Sequence, residues 1–373
     1  MPARHLLACL VGLAVCAPIA SAATLTVGPG LPLATPSQAA AVARDGDTVL
    51  IRAGTYRGDT ATWTQNRLTL RATGGRVVLD AAGRSAQGKA IWVITGDRTR
   101  VEGITFQNAR VPDRNGAGIR QEGARLLVLR CRFVRNQDGI LSADHPRGAI
   151  TIVGSTFVDN GAGDGYSHNL YVGGGRTLVI RGSTFARARV GHNIKSRAAR
   201  TIISSSRILD RNGTTSYSVD IPDGGDLTIA GSVIQQGPRG QNPALISYAA
   251  ESASNPGRRI RIAASTLVDD RPGGGPFLRT FIPANVAYLS SLLVGAGAPV
   301  EGARPTMRGT VRTRRPGFVN ARGYDYRLRP GSPAVDRGVR LPRALMPAQS
   351  PGGGRRSIVG PRPDAGAFEL GRR

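Results

Sequence analysis

The chain has 373 residues, 50 Lys and Arg against 24 Asp and Glu, a formal net charge of +26, 40% apolar residues and only 5% aromatic ones. That length is ample for a core. Beyond the first 22 residues no apolar run is long and uncharged enough for a membrane-spanning helix, so an integral membrane protein is excluded. Glycine is 50 of 373 residues without a Gly-X-Y period, which excludes collagen and points to short strands and tight turns.

Met1 to Ala22 read as a secretory signal. Arg4 supplies a positive start, Leu6 to Pro18 an apolar run, and Ala20-Ser21-Ala22 a small-residue cleavage site. The expected location is therefore secreted or periplasmic. Cys131 is then the one cysteine of the mature chain, so no intramolecular disulfide and no Cys-based metal site is expected. Secretion also argues against nucleic acid as the partner of so basic a chain. An acidic polysaccharide fits better, and the basic surface is expected to concentrate where that polymer binds.

Next in the chain, Thr35-Pro36-Ser37-Gln38 is a capping box with Pro at the first helical position. It predicts a short helix over residues 36 to 44, ended by Asp45-Gly46. Strands are expected at Val49-Leu50-Ile51, Leu68-Thr69-Leu70 and Ile91-Trp92-Val93. A repeat then sets in: small residue, any residue, apolar residue. It reads Cys131-Arg132-Phe133, Ser155-Thr156-Phe157, Ser183-Thr184-Phe185, Ser206-Arg207-Ile208, Ser232-Val233-Ile234, Ser265-Thr266-Leu267 and Ser291-Leu292-Leu293, with a weaker copy at Gly103 to Phe106. The closing apolar residues are 27, 24, 28, 23, 26, 33 and 26 apart. Short strands centred on Ile119, Ile140, Leu170, Ile194 and Val219 follow the copies.

Units of this size cannot bury their own apolar faces, but stacked coils bury a continuous interior. The pattern predicts an all-β, single-stranded right-handed parallel β-helix of roughly ten coils with an N-terminal capping helix. Phe133, Phe157 and Phe185 should stack inside, as should Ile140, Leu170 and Ile194. The repeat fades near residue 303. The expected organisation is a signal peptide at 1–22, a β-helix domain at 23–303 and an appendage at 304–373 packed on the β-helix, in a monomer.

The chain resembles secreted bacterial β-helix proteins of the pectate-lyase-like superfamily. Gly46-Asp47-Thr48-Val49 with Ala53-Gly54-Thr55-Tyr56 looks like their first coil. Leu328-Arg329-Pro330-Gly331-Ser332-Pro333-Ala334-Val335-Asp336 and Asp364 to Glu369 look like their common ending. These motifs speak for the fold and say little about the reaction.

Two central coils carry the candidate chemistry. Ser167-His168-Asn169-Leu170-Tyr171 and Gly191-His192-Asn193-Ile194-Lys195 repeat each other 24 residues apart. With Leu170 and Ile194 inward, alternation places Asn169, Tyr171, Asn193, Lys195 and Arg197 outward on one wall, with Arg120 and Asp220 on flanking coils. Lys195 stands out because the chain uses only two lysines, Lys89 and Lys195, among 50 basic residues. An amine gives up its proton far more readily than a guanidinium.

Tyr, Lys, Asn, His and Arg together suit β-elimination on a uronate polymer. Lys195 and Tyr171 are the expected catalytic pair, and the resemblance to alginate-lyase-like members implies the same pairing. Asn169, Asn193, His168, His192, Arg197, Arg120 and Asp220 are the expected substrate ligands. Asn169 over Asn193 is equally the pattern of a structural amide ladder, and His168 over His192 that of a stack supporting a turn. No cofactor is expected. Calcium is compatible, but no compact carboxylate cluster points to it. A uronate C5-epimerase shares the proton abstraction. A glycoside hydrolase using Asp220 and Asp223, or a non-catalytic glycan-binding envelope protein, are the other readings.

Overall fold

The computed structural model describes residues 22–371. The signal segment, apart from Ala22, lies outside them. The chain winds as a right-handed parallel β-helix of about 11 turns. Each coil contributes strands to three faces. The first face runs through Ala90–Ile94, Ala117–Gln121, Asp138–Ser142, the first residues of Leu170–Arg181 and of Ile194–Ser204, then Val219–Ile221, Ile246–Tyr248 and Leu278–Thr280, all paired in parallel. Leu170–Arg181 and Ile194–Ser204 continue around a corner onto the second face, with a register shift between Val172 and Gly175. There they join strands such as Ala149–Val153, Asp226–Ala230 and Arg259–Ala263. The third face holds the apolar ends of the sequence repeat, from Ile104–Gln107 to Val311–Thr313.

The interior is built as the repeat predicts. Phe106, Phe133, Phe157 and Phe185 stack with ring centroids 5.1, 4.5 and 4.6 Å apart, and Trp92 and Trp63 extend the column edge-on. Ile140, Leu170 and Ile194 are fully buried and in register. Offset aromatic contacts of this kind add about 0.5–1.5 kcal/mol each beyond burial.

The small residue of the repeat has a specific task. Ser155, Ser183, Ser206, Ser232 and Ser265 each accept, through Oγ, the backbone N–H of the equivalent residue one coil earlier, at 3.1 to 3.2 Å. Each hydroxyl donates to the carbonyl two residues before it. The residue just ahead of each serine, such as Gly154, Gly182 or Ser205, has positive φ and turns the corner. Ser206→Ala is therefore expected to leave the buried Ser183 N–H unpaired and to cost about 1–3 kcal/mol, read from the midpoint of a denaturant titration. A cost below about 0.5 kcal/mol would mean that the ladder carries no net stabilisation.

The helix is Pro36–Val42, two residues shorter than expected, with Gln38 Oε1 accepting the N–H of Ala34 at 2.7 Å and of Thr35 at 3.3 Å. Ala39 is buried against the first coils. At the other end, coil pairing continues past residue 303: Thr306–Arg308 and Val311–Thr313 still add parallel rungs. The antiparallel pair Phe318–Asn320 and Asp325–Leu328 follows. Phe318, Tyr326, Leu328, Ala334, Ala365 and Ala367 pack on Leu209, Val233, Val268, Leu292 and Val294, outward residues of the third face. The C-terminal segment thus covers the third face from Leu209 to Val294 and leaves the first face open.

Candidate active site

Parallel register turns the first face into columns. Its central outward column reads Arg120, Leu141, Tyr171, Lys195, Asp220, Ser247, Arg279 and Glu301, one residue per coil. Neighbouring rungs are about 4.8 Å apart. Tyr171 and Lys195 are therefore direct neighbours, as the 24-residue repeat implies, and the ammonium lies 5.6 Å from the ring centroid.

Lys195 Nζ sits between two carboxylates, Glu251 at 2.6 Å and Asp220 at 3.7 Å. Arg197 reaches three partners: Nε donates to the Tyr171 hydroxyl at 2.8 Å, one terminal nitrogen to Asp223 at 2.7 Å, and the other to Glu251. The carboxylate of Glu251 is thus held by both cations together. Burial alone would raise the Glu251 pKa, but hydrogen bonds from Lys195 and Arg197 bring it below the usual carboxylate range. Burial works against the charge on Arg197, and its bonds to Glu251, Tyr171 and Asp223 more than offset this.

Asp220 differs from Glu251. Its side chain is 4% exposed, and burial lifts it to about 6 although Lys195 pulls the other way. His192 Nε2 lies 3.5 Å from Asp220, while His192 Nδ1 accepts the N–H of Tyr217 at 3.1 Å. The ring proton is therefore on Nε2, facing Asp220. Burial, then the charge of Lys195, pushes His192 down to about 3, so it is neutral near pH 7.

The Asp220 value has a measurable consequence. Its folded pKa, about 6, exceeds the ordinary 3.8, so the native state binds the extra proton between those values. Its charged form costs stability above pH ~6, and that cost vanishes as pH falls below ~4. Relative to Asp220→Asn, the wild type should gain stability as pH drops from about 7 to about 4. Paired urea titrations check this, and a difference that does not change with pH would show that folding leaves the Asp220 pKa unshifted.

Several expected ligands are elsewhere. Asn169 and Asn193 are fully buried and do not face the wall. They belong to an amide ladder: Asn160 Nδ2 donates to Asn169 Oδ1 at 2.8 Å, and Asn169 Nδ2 to Asn193 Oδ1 at 2.7 Å. Both precede the first residue of their strand, so strand alternation does not govern them. His168 is 1% exposed, stacks on His192 at 4.7 Å, and accepts the His192 N–H through Nδ1. Asn169, Asn193 and His168 therefore sit in buried ladders and not on the open wall. His192 touches the cluster through Asp220 instead of through open surface.

Arg120 lies two rungs from Tyr171 and 3.5 Å from Glu122, which also binds Lys89 at 2.9 Å. Arg120, Asp138, Asp144, Asp164, Tyr166 and Tyr171 line a depression of about 580 Å³ beside the column. Asp164 and Tyr166 come from the loop ahead of Leu170, which forms one bank. Asp138 at its floor is driven well above the carboxylate range by burial, with the His168 N–H donating to it at 2.7 Å.

Glu251 and Tyr217 were not foreseen. Glu251 sits on the loop after Ile246–Tyr248, 56 residues from Lys195, and no local pattern marks it. Tyr217 packs on His192 at 5.4 Å and precedes the strand that bears Asp220. The wall is also not the unneutralised basic surface expected: Lys89, Arg120, Lys195, Arg197 and Arg279 all face carboxylates. Among the described residues no group of three or more His, Cys, Asp or Glu side chains is arranged to hold a metal ion, and no helix is long and apolar enough to cross a membrane.

No protein-family model matches the chain, and no curated protein matches it by sequence. Among solved structures it is similar to a pectate lyase, with a TM-score of 0.63 at 15% identity over 95% of this chain and 98% of that one. It is also similar to an alginate lyase from Paenibacillus sp. str. FPU-7, with a TM-score of 0.51 at 18% identity over 78% of this chain and 99% of that one. The shared feature is the fold, a parallel β-helix that both of these polysaccharide lyases use.

Proposed function

We propose that the protein is a polysaccharide lyase that cleaves a uronate-containing polymer by β-elimination. The observation that carries this reading is the Glu251 carboxylate held jointly by Lys195 and Arg197 beside the Tyr171 hydroxyl. The protein's own carboxylate marks a two-cation cradle with an acid–base group next to it. The pectate and alginate lyase neighbours support the same reading. The leader-like Met1 to Ala22 supports a secreted or periplasmic site of action.

In this mechanism the substrate carboxylate takes the place of Glu251 between Lys195 and Arg197. Neutralising it makes the C5 proton, α to the carboxylate, more acidic. Tyr171 enters this step as the phenolate, stabilised by the Arg197 Nε–H on its oxygen, takes up that proton and becomes the neutral phenol. The electron pair forms the C4=C5 bond as the C4–O4 bond breaks, and Lys195 gives a proton to the departing O4. Asp220 and His192 stand behind Lys195 and hold it in line.

A panel of uronate polymers followed by ultraviolet absorbance tests the reaction, because only elimination makes a conjugated double bond. Reducing ends without absorbance would favour a glycoside hydrolase. That reading has one supporting observation, the opposite pKa shifts of Asp220 and Glu251, but Lys195 stands between those carboxylates. Solvent deuterium entering C5 without cleavage would indicate an epimerase, and binding without any product a glycan-binding protein. Since Glu251 competes with substrate for the cradle, Glu251→Gln should lower KM several-fold, about 1 kcal/mol, with kcat nearly unchanged. A fall in kcat at constant KM would instead place Glu251 in the chemistry.

A further inference from the structure

A group of arginines, most of them without a carboxylate partner, lies on the second face. Arg176, Arg200, Arg259 and Arg261 are all exposed there. Parallel register sets them on nearby rungs in neighbouring columns: Arg200 pairs with Thr177 and Asp226, and Arg261 with Thr228. The one acid among them, Asp226, is taken by Arg259 at 2.8 Å. Among the described residues, Arg176, Arg200 and Arg261 form no ion pair.

These side chains border a furrow. One depression of about 620 Å³ runs from Arg176 past Arg200 to Pro256, Gly257 and Arg258. A second, of about 430 Å³, shares Arg200, Asp226 and Arg259 with it and continues to Arg261, with Pro342 and Leu345 of the C-terminal segment as the far bank. Arg176 to Arg261 spans three rungs, roughly 14 Å at the usual strand spacing. The floor between the arginines is Ile202 and Thr228.

We propose that this furrow is a second binding site for a linear polyuronate, apart from the candidate active site. Guanidinium forks match carboxylates in two-bond geometry, and their spread over several coils suits a polymer with repeated carboxylates. Ile202 on the floor and Leu345 on the far bank offer apolar surface for the faces of sugar rings. None of the large exposed apolar residues, Val42, Tyr166, Phe281, Ile358 and Val359, lines the furrow, so it lacks the anchors that a lipid surface requires. The loop between Ile246–Tyr248 and Arg259–Ala263 separates the two sites. It sends Glu251 to Lys195 on one side and Pro256, Gly257 and Arg258 to the furrow on the other. One polymer is thus gripped on two adjacent faces. The choice of polyuronate rests on the proposed lyase reading.

The test is affinity electrophoresis through gels containing polygalacturonate or alginate, at several salt concentrations. Arg200→Gln with Arg261→Gln should weaken retention about tenfold and flatten its salt dependence. Turnover of a short oligouronate should stay the same. The control pair Arg71→Gln with Arg76→Gln removes two exposed arginines of the distant strand Thr69–Asp80 and should leave retention unchanged. Equal weakening by both pairs would attribute binding to net charge and overturn the furrow, as would unchanged retention in the first pair. Loss of binding to anionic vesicles but not to polyuronate would overturn it as well. If wild type forms no unsaturated product while retention still depends on Arg200 and Arg261, the lyase reading fails and the furrow stands.

Discussion

Replacing Lys195 by alanine is expected to remove most turnover, about 10²- to 10⁴-fold, the usual contribution of a positioned acid–base group. Alanine also strips Asp220 of its cation, and Lys195 is only 11% exposed, so thermal melts must accompany the kinetics. Lys195→Arg is the cleaner variant. It keeps the positive charge facing Asp220 and Glu251 but does not release a proton readily. It should therefore keep KM near the wild-type value and lose most of kcat. A Lys195→Arg enzyme with full kcat would reduce Lys195 to an electrostatic role. Tyr171→Phe should lose a comparable factor, because the Arg197 Nε–H then has no oxygen to stabilise. If both Lys195→Ala and Tyr171→Phe retain wild-type activity, the assignment of the site is wrong.

Arg197 should be nearly as sensitive. It alone joins the Tyr171 hydroxyl, Asp223 and Glu251, and that requires a planar fork. Arg197→Lys offers a single ammonium in place of the fork. By analogy with removal of one preorganised donor, kcat/KM should fall about 10²- to 10³-fold. The loss should be shared between KM, through the carboxylate cradle, and kcat, through Tyr171. Protein stability should fall less, since Asp223 remains 16% exposed and reaches water. A loss confined to KM would show that Arg197 binds the carboxylate but leaves Tyr171 unaided.

Tyr171 and Lys195 were legible as a pair because parallel coils stack equivalent residues. A 24-residue repeat with Leu170 and Ile194 inside leaves little freedom for the residue that follows each. The same reasoning misplaced Asn169 and Asn193. Alternation is a property of extended backbone, and both asparagines sit one step before the strand, where the chain is still turning. A turn leaves carbonyls and N–H groups that no strand neighbour satisfies, and the buried amides close them. His168 and His192 act likewise, each accepting a backbone N–H through Nδ1.

The solenoid, its inward columns and the adjacency of Tyr171 to Lys195 could all be read along the chain, because each follows from a short-range period. The serine of the repeat is of the same kind: one hydroxyl bonds two backbone groups, so its position recurs with every coil. Tertiary structure decided what surrounds the lysine. Glu251 arrives on a loop 56 residues away, and Asp223 follows a strand one coil on. Loop paths depend on how whole coils pack, and no period in the chain encodes them. The distribution of charge was decided in the same way. Composition fixes the excess of arginine, but only the folded coils determine which arginines meet a carboxylate and which line an open furrow.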